Sequence, residues 1–386
     1  MLPSSSSTTN SNTTGDSSSS LTSLVTFPPD SKKGLVGLQS KGTCFVNSAI
    51  QCLSNTPDFL KLFLTDEYKK DINEQNPLGS GTYSTDINVY FSIGGKLTHC
   101  FSSLLRDLWF GNSSSIAPLE LKKIVSELSP HMISAGGGDS QEFLSFLLDY
   151  LHEDLNRVLK KPYVEVKDYD GRPDEIVAEE SWSNHLKRNQ SVIQELLHGQ
   201  LKAQYECSEC KKKFITFDPF GMISLPIPQD TEKETLNLYD CIKLLTKTEK
   251  IELEIGWYCS GCKTHREAVK KTDIYKLPPI LVLHLKRAQP ITWLQAKKLT
   301  DLVEFPLEGL DLREYVLNND KNAIYDLYAV SNHHGKTVQG QYTTFAKNLI
   351  DKKWYHFVDS EVLEVNEKEI VSSDAYVLFY KKREVN

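Results

Sequence analysis

The sequence lacks a long apolar run. Its longest, "LPPILVLHL" (277–285), is interrupted by prolines, and no run approaches the ~18 residues that a membrane helix needs. It also lacks an excess of positive charge, because 51 Asp and Glu outnumber 44 Lys and Arg for a net charge of −7. Nucleic-acid-binding proteins favour a basic face. We therefore expect a globular protein that binds neither a membrane nor nucleic acid.

The N-terminus lacks the charged and apolar regions of a secretory signal. We therefore expect a cytoplasmic and/or nuclear protein with reduced thiols. The chain nevertheless has eight cysteines, and four of them form two C-x-x-C pairs. In such a chain these pairs favour metal binding over disulfides.

The two pairs are "YECSEC", with Cys207 and Cys210, and "WYCSGCK", with Cys259 and Cys262. Each pair spans one tight turn, so both thiolates can face one ion, and two such turns make a tetrahedral four-cysteine zinc site. All four cysteines would be ligands, which predicts structural rather than catalytic zinc. The alternative is two unrelated turns with reduced thiols.

The chain divides into three parts by composition. Residues 1–31 are rich in Ser and Thr with few large apolar groups, which predicts a disordered tail. Helical periodicity follows in the first half, including 117–132 and 139–159. The second half has alternating patterns separated by turn signals, which predict strands. A helical part followed by an antiparallel β-rich part indicates the α+β class.

Cys44 lies in "SKGTCFVNSAIQCL" (40–53), directly before a helical pattern. A cysteine at a helix start lies near the positive end of the helix dipole and near free backbone N–H groups. These favour the thiolate and can stabilise an oxyanion, as acyl transfer requires. The alternative is a small core residue. A cysteine hydrolase also needs a base, and none of the ten histidines is singled out by its spacing.

Several motifs together resemble the ubiquitin-specific protease family. They cover about residues 34–383 in the family's order. Within them, 152–189 is similar to the subgroup that usually carries a DUSP domain and ubiquitin-like domains. The motifs are the two cysteine pairs, "GLVGLQSKGTCFVNSAIQCLSNTP" (34–57), "GGGDSQEFLSFLLDYLHEDLNR" (136–157), "LPPILVLHLKR" (277–287), "YAVSNHHGKTVQGQYTTFAKN" (328–348), "KKWYHFVDSEV" (352–362) and "AYVLFYKK" (375–382).

The resemblance implies a papain-like cysteine protease core with a thumb (about 34–160), then fingers and palm (about 195–383). Zinc would clip the fingers. Ubiquitin or polyubiquitin conjugates would be the partner of a monomeric protein. Asp139, Gln141 and Glu142 match the family's motif near the ubiquitin tail, whose arginines suit acidic groups. The alternative for these three residues is a charge cluster at a helix N-terminus.

The chain departs from the family at its catalytic positions. Cys44 matches the nucleophile. The family's histidine in "G-H-Y-T" is Gln341 here, and the third triad residue after the phenylalanine is Val358, followed by Asp359. Gln341 cannot accept the thiol proton, and Val358 cannot orient an imidazole. Asp359 matches the family's second acidic position, which can share the orienting role.

The turn before the nucleophile is one residue shorter than in the family. The oxyanion asparagine therefore corresponds to Ser40 or Gln39, depending on where the gap lies. His356 offers a displaced base, although on a regular strand it would face away from Asp359.

We therefore expect a ubiquitin-binding member of this family whose deubiquitinating activity is lost or severely reduced. One alternative is an active thiol deubiquitinase that uses Cys44 with a displaced base. The other is a non-catalytic scaffold that no longer binds ubiquitin.

Overall fold

The structure is a computed structural model. It describes residues 21, 23–73, 94–133, 137–165, 167, 169, 171–229, 235–292, 295–336 and 340–384. No helix in these ranges is long and apolar enough to cross a membrane.

The described α-helices lie mainly in the first half of the chain. Predicted helix 117–132 is observed as an α-helix followed by a 3-10 turn, and predicted helix 139–159 ends earlier, at Asp154. The α-helices are α1 (Cys44–Ser54), α2 (Pro57–Leu64), α3 (Lys96–Phe110), α4 (Leu119–Leu128), α5 (Ser140–Asp154), α6 (Asp174–Leu186), α7 (Val192–Leu197) and α8 (Leu238–Leu245). Short 3-10 helices are Glu67–Lys70, Pro130–Ile133, Leu253–Ile255 and Glu367–Glu369.

Strands dominate the second half, which confirms the α+β class. They are β1 (Gly37–Leu38), β2 (Ser115–Ile116), β3 (Gly199–Cys207), β4 (Lys213–Phe220), β5 (Ile223–Pro226), β6 (Leu236–Asn237), β7 (Glu249–Ile251), β8 (Tyr258–Cys259), β9 (Thr264–His265), β10 (Ala268–Lys276), β11 (Ile280–Lys286), β12 (Ala288–Thr292), β13 (Gln295–Lys298), β14 (Val303–Glu304), β15 (Leu310–Asp311), β16 (Ile324–Gly335), β17 (Gly340–Lys347), β18 (Trp354–Val358), β19 (Glu361–Val365) and β20 (Ala375–Lys382).

Two larger sheets organise these strands. The central sheet has the order β19-β18-β17-β16-β20-β11-β5, with β15 beside β16. Its pairings are antiparallel except for β11 with β5. A second sheet has the order β4-β3-β10-β7, and the remaining strands form the pairs β1-β2, β6-β14, β8-β9 and β12-β13.

The central sheet lies between two apolar clusters. Ile280 and Val282 of β11 face the cluster that contains the first helices, whereas Leu281 and Leu283 face the cluster that contains α8. This alternation is what a strand buried on both faces requires. We call these sides the α1 face and the α8 face.

Helix α1 is the central element of the α1 face, because all its residues from Phe45 to Ser54 are buried. Ser48 Oγ lies 2.7 Å from Ser331 Oγ and 2.9 Å from Thr344 Oγ1, and it donates to the Thr343 carbonyl at 2.9 Å. Ser140 Oγ of α5 lies 3.0 Å from Ser331 Oγ. Because buried polar groups need partners, these hydroxyls join α1, α5 and the sheet.

The end of the predicted tail is packed rather than disordered. Leu21 and Val25 are buried in the α1-face cluster. The Phe27 ring centroid lies 6.0 Å from that of Trp109 and 5.7 Å from that of Phe110. Packed structure therefore begins earlier than the sequence indicates. A few apolar residues pack against the α1-face cluster, and one of them, Phe27, contacts α3. Residues 1–20 lie outside the described residues.

A chain of hydrogen bonds joins α5 to α6 and α7 through three histidines. His152 Nδ1 lies 2.6 Å from Ser191 Oγ, and its Nε2 lies 3.2 Å from Asn189 Oδ1. Asn189 Nδ2 lies 3.1 Å from His185 Nδ1, and His185 Nε2 lies 3.4 Å from His198 Nδ1. The Asn189 amide donates to His185 Nδ1, so the His185 proton is on Nε2 and points at His198. This arrangement requires His185 and His198 to be neutral.

Acid should therefore weaken this connection. Burial, followed by nearby positive groups, lowers the pKa of His185 to about 4 and that of His198 to about 3, from an ordinary 6.5. The unfolded chain binds these protons first, so the free energy of unfolding should fall as pH falls from about 6.5 towards 4. We expect this in urea unfolding across that pH range.

The double variant His185→Gln with His198→Gln should lose much of that pH dependence. Replacing the exposed His131 with Gln is the matched control and should leave the profile unchanged. Equal profiles for the unmodified protein and the double variant would contradict the assignment.

Candidate functional site

Cys44 is the first residue of α1 and is half-buried. The backbone N–H of Tyr342, on β17, donates to its sulfur at 3.4 Å. Thr43 precedes it at the N-cap position, but its side chain caps no N–H group, and its buried hydroxyl has no partner among the described residues. The sulfur thus lies between a helix start without a side-chain cap and the first residues of β17.

The shortened turn before Cys44 is closed by Ser40, the predicted oxyanion position. Ser40 Oγ accepts a hydrogen bond from the Thr43 N–H at 3.2 Å. The alternative position, Gln39, is exposed and donates through its amide to Ser115 Oγ at 3.4 Å. The Ser40 side chain therefore bonds within the turn, and the Gln39 side chain bonds to β2.

Asp359 is held by α1 rather than by a histidine. Its Oδ1 accepts from Asn47 Nδ2 at 2.9 Å, and its carbonyl accepts from the Leu38 N–H at 2.7 Å. Asn47 Nδ2 also donates to the Leu38 carbonyl at 2.9 Å. The β18–β19 turn, β1 and the first turn of α1 are therefore fastened together through Asn47.

Gln341 and Val358 reach the same region. Gln341 is exposed, lies directly opposite His334 in the sheet, and immediately precedes the residue whose N–H contacts the Cys44 sulfur. Val358 is half-buried at the end of β18, next to Asp359. The structure therefore brings the predicted positions around Cys44, but their side chains supply neither an imidazole nor a carboxylate.

No histidine among the described residues forms a hydrogen bond with the Cys44 sulfur, whose partner is the Tyr342 N–H. The His356 ring packs 4.5 Å from that of Phe345, which belongs to the α8 face, whereas α1 lies on the opposite face. The His333 ring stacks 4.5 Å from that of Tyr342, and burial lowers its pKa to about 4. His356 and Asp359 share no hydrogen bond. This geometry therefore does not support His356 as a displaced base oriented by Asp359.

A histidine that the sequence did not single out does have an orienting carboxylate. His334 Nδ1 lies 2.8 Å from Asp374 Oδ2, and His334 Nε2 lies 2.9 Å from Thr343 Oγ1. The carboxylate can only accept, so Nδ1 donates to it and Nε2 accepts from the threonine hydroxyl. No spacing in the sequence indicates this pair.

Asp139 serves α5 directly. Its Oδ1 accepts from the N–H groups of Gln141 at 2.7 Å and Glu142 at 3.3 Å, as an N-cap does. Its Oδ2 accepts from the Tyr376 hydroxyl at 2.6 Å. Glu142 is exposed, and the Gln141 amide donates to Ser145 Oγ at 3.1 Å. Only Glu142 therefore has a carboxylate that is free of these structural bonds.

The four C-x-x-C cysteines meet in space. Their sulfurs all lie within 4.8 Å of one another. The distance is 3.9 Å between the sulfurs of Cys207 and Cys262, and 3.6 Å between those of Cys210 and Cys259. A tetrahedral Zn–S shell of about 2.3 Å places sulfurs about 3.8 Å apart. The cluster therefore fits one zinc ion and could hold it.

The sequence pattern of the ubiquitin carboxyl-terminal hydrolase family matches residues 36–380. Ubiquitin carboxyl-terminal hydrolase 2 of Bos taurus is 36% identical over 358 residues, covering 92% of this chain and 56% of the relative. The Gallus gallus protein of the same name is 40% identical over 282 residues, covering 73% of this chain and 78% of that relative. The chain thus spans little more than half of the Bos taurus relative.

Ubiquitin carboxyl-terminal hydrolase 15 of Homo sapiens is 25% identical over 666 aligned positions, covering 92% of this chain and 66% of the relative. That alignment is longer than the chain, so the relative contains segments that this chain lacks. The subgroup assignment stays a prediction.

Among solved structures, a chain of the SAGA DUB module Ubp8/Sgf11/Sus1/Sgf73 bound to monoubiquitin matches with a TM-score of 0.68 and 24% identity. The match covers 92% of this chain and 70% of that chain. A chain of the module bound to ubiquitin aldehyde matches with a TM-score of 0.67 and 24% identity. This match covers 95% of this chain and 73% of that chain. This likeness confirms the predicted fold, with its thumb, palm and fingers.

The Asn47 contacts lead to a prediction about stability. Asn47→Ala removes the donor shared by Leu38 and Asp359, and it leaves the buried Leu38 carbonyl without that bond. We expect the free energy of unfolding to fall by about 1–3 kcal/mol, measured by urea unfolding. Asp359→Asn keeps an amide oxygen that can accept and should cost less. An unchanged stability for Asn47→Ala would show that these three segments are held together by other contacts.

Proposed function

Because this chain belongs to the ubiquitin carboxyl-terminal hydrolase family, we propose that it binds ubiquitin and hydrolyses ubiquitin conjugates very slowly or not at all. One observation supports the loss of activity most directly. The Cys44 sulfur accepts a hydrogen bond from a backbone N–H, and no described imidazole forms a hydrogen bond with it.

Amide hydrolysis by a thiol needs two proton transfers. A base takes the thiol proton, and an acid then protonates the leaving amine. Gln341 can do neither, because its amide does not titrate in this range. Val358 cannot orient a histidine, and Asp359 is bonded to Asn47. Loss of triad members in other hydrolases lowers rates by roughly 10⁴ to 10⁶.

Ubiquitin binding is proposed because the fold and the residues at the start of α5 are similar to those of the family. The related DUB-module structures contain monoubiquitin or ubiquitin aldehyde. Asp139, Gln141 and Glu142 lie at the start of α5, where an arginine-bearing tail would meet the exposed Glu142. We also propose that Cys207, Cys210, Cys259 and Cys262 hold a structural zinc ion. The monomeric state and the location in cytoplasm or nucleus stay predictions.

A second candidate function, active hydrolysis with a displaced base, has one observation in its favour. His334 is oriented by Asp374 and lies opposite Gln341 across β16 and β17. Its Nε2 is engaged by Thr343 rather than by Cys44, so this base would have to change partners. The third candidate, a scaffold without ubiquitin binding, has no such support.

The decisive assay is hydrolysis of a ubiquitin C-terminal fluorogenic amide. We expect no turnover above that of the Cys44→Ala variant. The double variant Gln341→His with Val358→Asp should hydrolyse this amide about 10²- to 10⁴-fold faster than the unmodified protein. A positioned general base contributes that range. A titration with ubiquitin should show saturable binding to Cys44→Ala.

The possible results separate the three candidates. Turnover in the unmodified protein that needs both Cys44 and His334, tested by His334→Gln, would establish the displaced base instead. Absence of saturable ubiquitin binding would support the scaffold.

Zinc content provides a separate test. We expect about one zinc per chain, as one four-cysteine site implies. Cys259→Ser should abolish the bound zinc and lower the thermal midpoint, because this buried thiolate would be a ligand. Cys100→Ser, outside the cluster, is the control and should keep the zinc. Full zinc content in Cys259→Ser would exclude the site.

A further inference from the structure

The surroundings of Cys44 contain hydrogen-bond donors although they lack a base. The first N–H groups of a helix have no acceptor within it. The Thr43 side chain caps none of those of α1. The Thr43 carbonyl accepts from the N–H groups of Val46 and Asn47, which leaves those of Cys44 and Phe45 without an acceptor among the described residues. The Thr43 side chain is only 7% exposed, and its hydroxyl has no partner among the described residues. Tyr342 adds a further N–H, aimed at the sulfur. The Tyr342 N–H stabilises the thiolate itself. The free N–H groups at the start of α1 suit the negative charge that develops on the carbonyl oxygen during attack.

The missing base affects some acyl donors far more than others. An amine leaves a tetrahedral intermediate only when it is protonated, so amides need an acid. A thiol with an ordinary pKa of about 8.5 leaves as a thiolate without one. A few per cent of an ordinary cysteine is thiolate at pH 7. Thiol exchange with a thioester therefore needs neither of the missing side chains.

We propose that Cys44 accepts the ubiquitin acyl group from C-terminal thioesters of ubiquitin and retains it as a Cys44 thioester. This inference rests on the proposed ubiquitin binding at the same site. The Cys44 thiolate forms a bond to the carbonyl carbon, and the bond from that carbon to the donor's sulfur breaks. The electron pair leaves with the donor sulfur, which then takes a proton from water. Nothing is oxidised or reduced.

The same deficiency preserves the product. Hydrolysis of the Cys44 thioester requires a base to activate water, and Gln341 occupies the position from which an imidazole would act. The acyl group therefore stays on Cys44 until another thiol removes it. The chain thereby becomes a reversible acceptor of activated ubiquitin rather than a hydrolase of conjugated ubiquitin.

The test uses the full chain and the 2-mercaptoethanesulfonate thioester of ubiquitin, in a buffer with a phosphine reductant and no added thiol. Intact mass spectrometry should show a one-to-one adduct that added dithiothreitol removes. Cys44→Ala should lower its formation at least about tenfold, because a bound thioester is presented only to Cys44. Cys100→Ala is the matched control, since Cys100 is also half-buried, and it should form the adduct normally.

Two further measurements distinguish the outcomes. Saturable binding of unmodified ubiquitin without any adduct would overturn the inference and leave the proposed function intact. Absence of both binding and adduct would overturn both. In the double variant Gln341→His with Val358→Asp, the adduct should decay to free ubiquitin. An equally rapid decay in the unmodified protein would overturn the retention step.

Discussion

The burial of α1 between α5 and the central sheet is the constraint on which the site depends. Ten consecutive residues of this helix are buried, and two of its polar residues form hydrogen bonds with partners far along the chain. Ser48 contacts hydroxyls from β16 and β17, and Asn47 contacts the turn after β18. These contacts fix the rotation and height of α1. Cys44 therefore meets the Tyr342 N–H without any contribution from a catalytic pair.

Local signals in the sequence were sufficient for much of this architecture. The two C-x-x-C pairs indicated the cluster in which all four sulfurs meet. Helical periodicity placed α1 and α5, and alternation placed most of the central strands. The fold class and the position of Cys44 at a helix start could be predicted because each depends on neighbouring residues.

Contacts between distant residues could not be predicted in this way. Asn47 and Asp359 are 312 positions apart, and neither has a local feature that indicates the other. The carboxylate of Asp374 reaches His334 because the end of β16 pairs with the start of β20, and no local pattern in the sequence encodes that pairing. The packed end of the tail escaped prediction because Leu21, Val25 and Phe27 are too few to form a pattern.

The substituted positions differ from the retained ones in what they contribute to folding. The Gln341 side chain is exposed and forms no hydrogen bond with any described residue, so a histidine there adds little to the stability of the sheet. Asp359 and Asn47, in contrast, hold β1, the first turn of α1 and the β18–β19 turn together. Removing the base from position 341 therefore leaves the frame intact, whereas removing the acid at 359 would loosen it. Proton transfer and folding are carried by different side chains in this site, so the chemistry can be lost while the geometry around Cys44 persists.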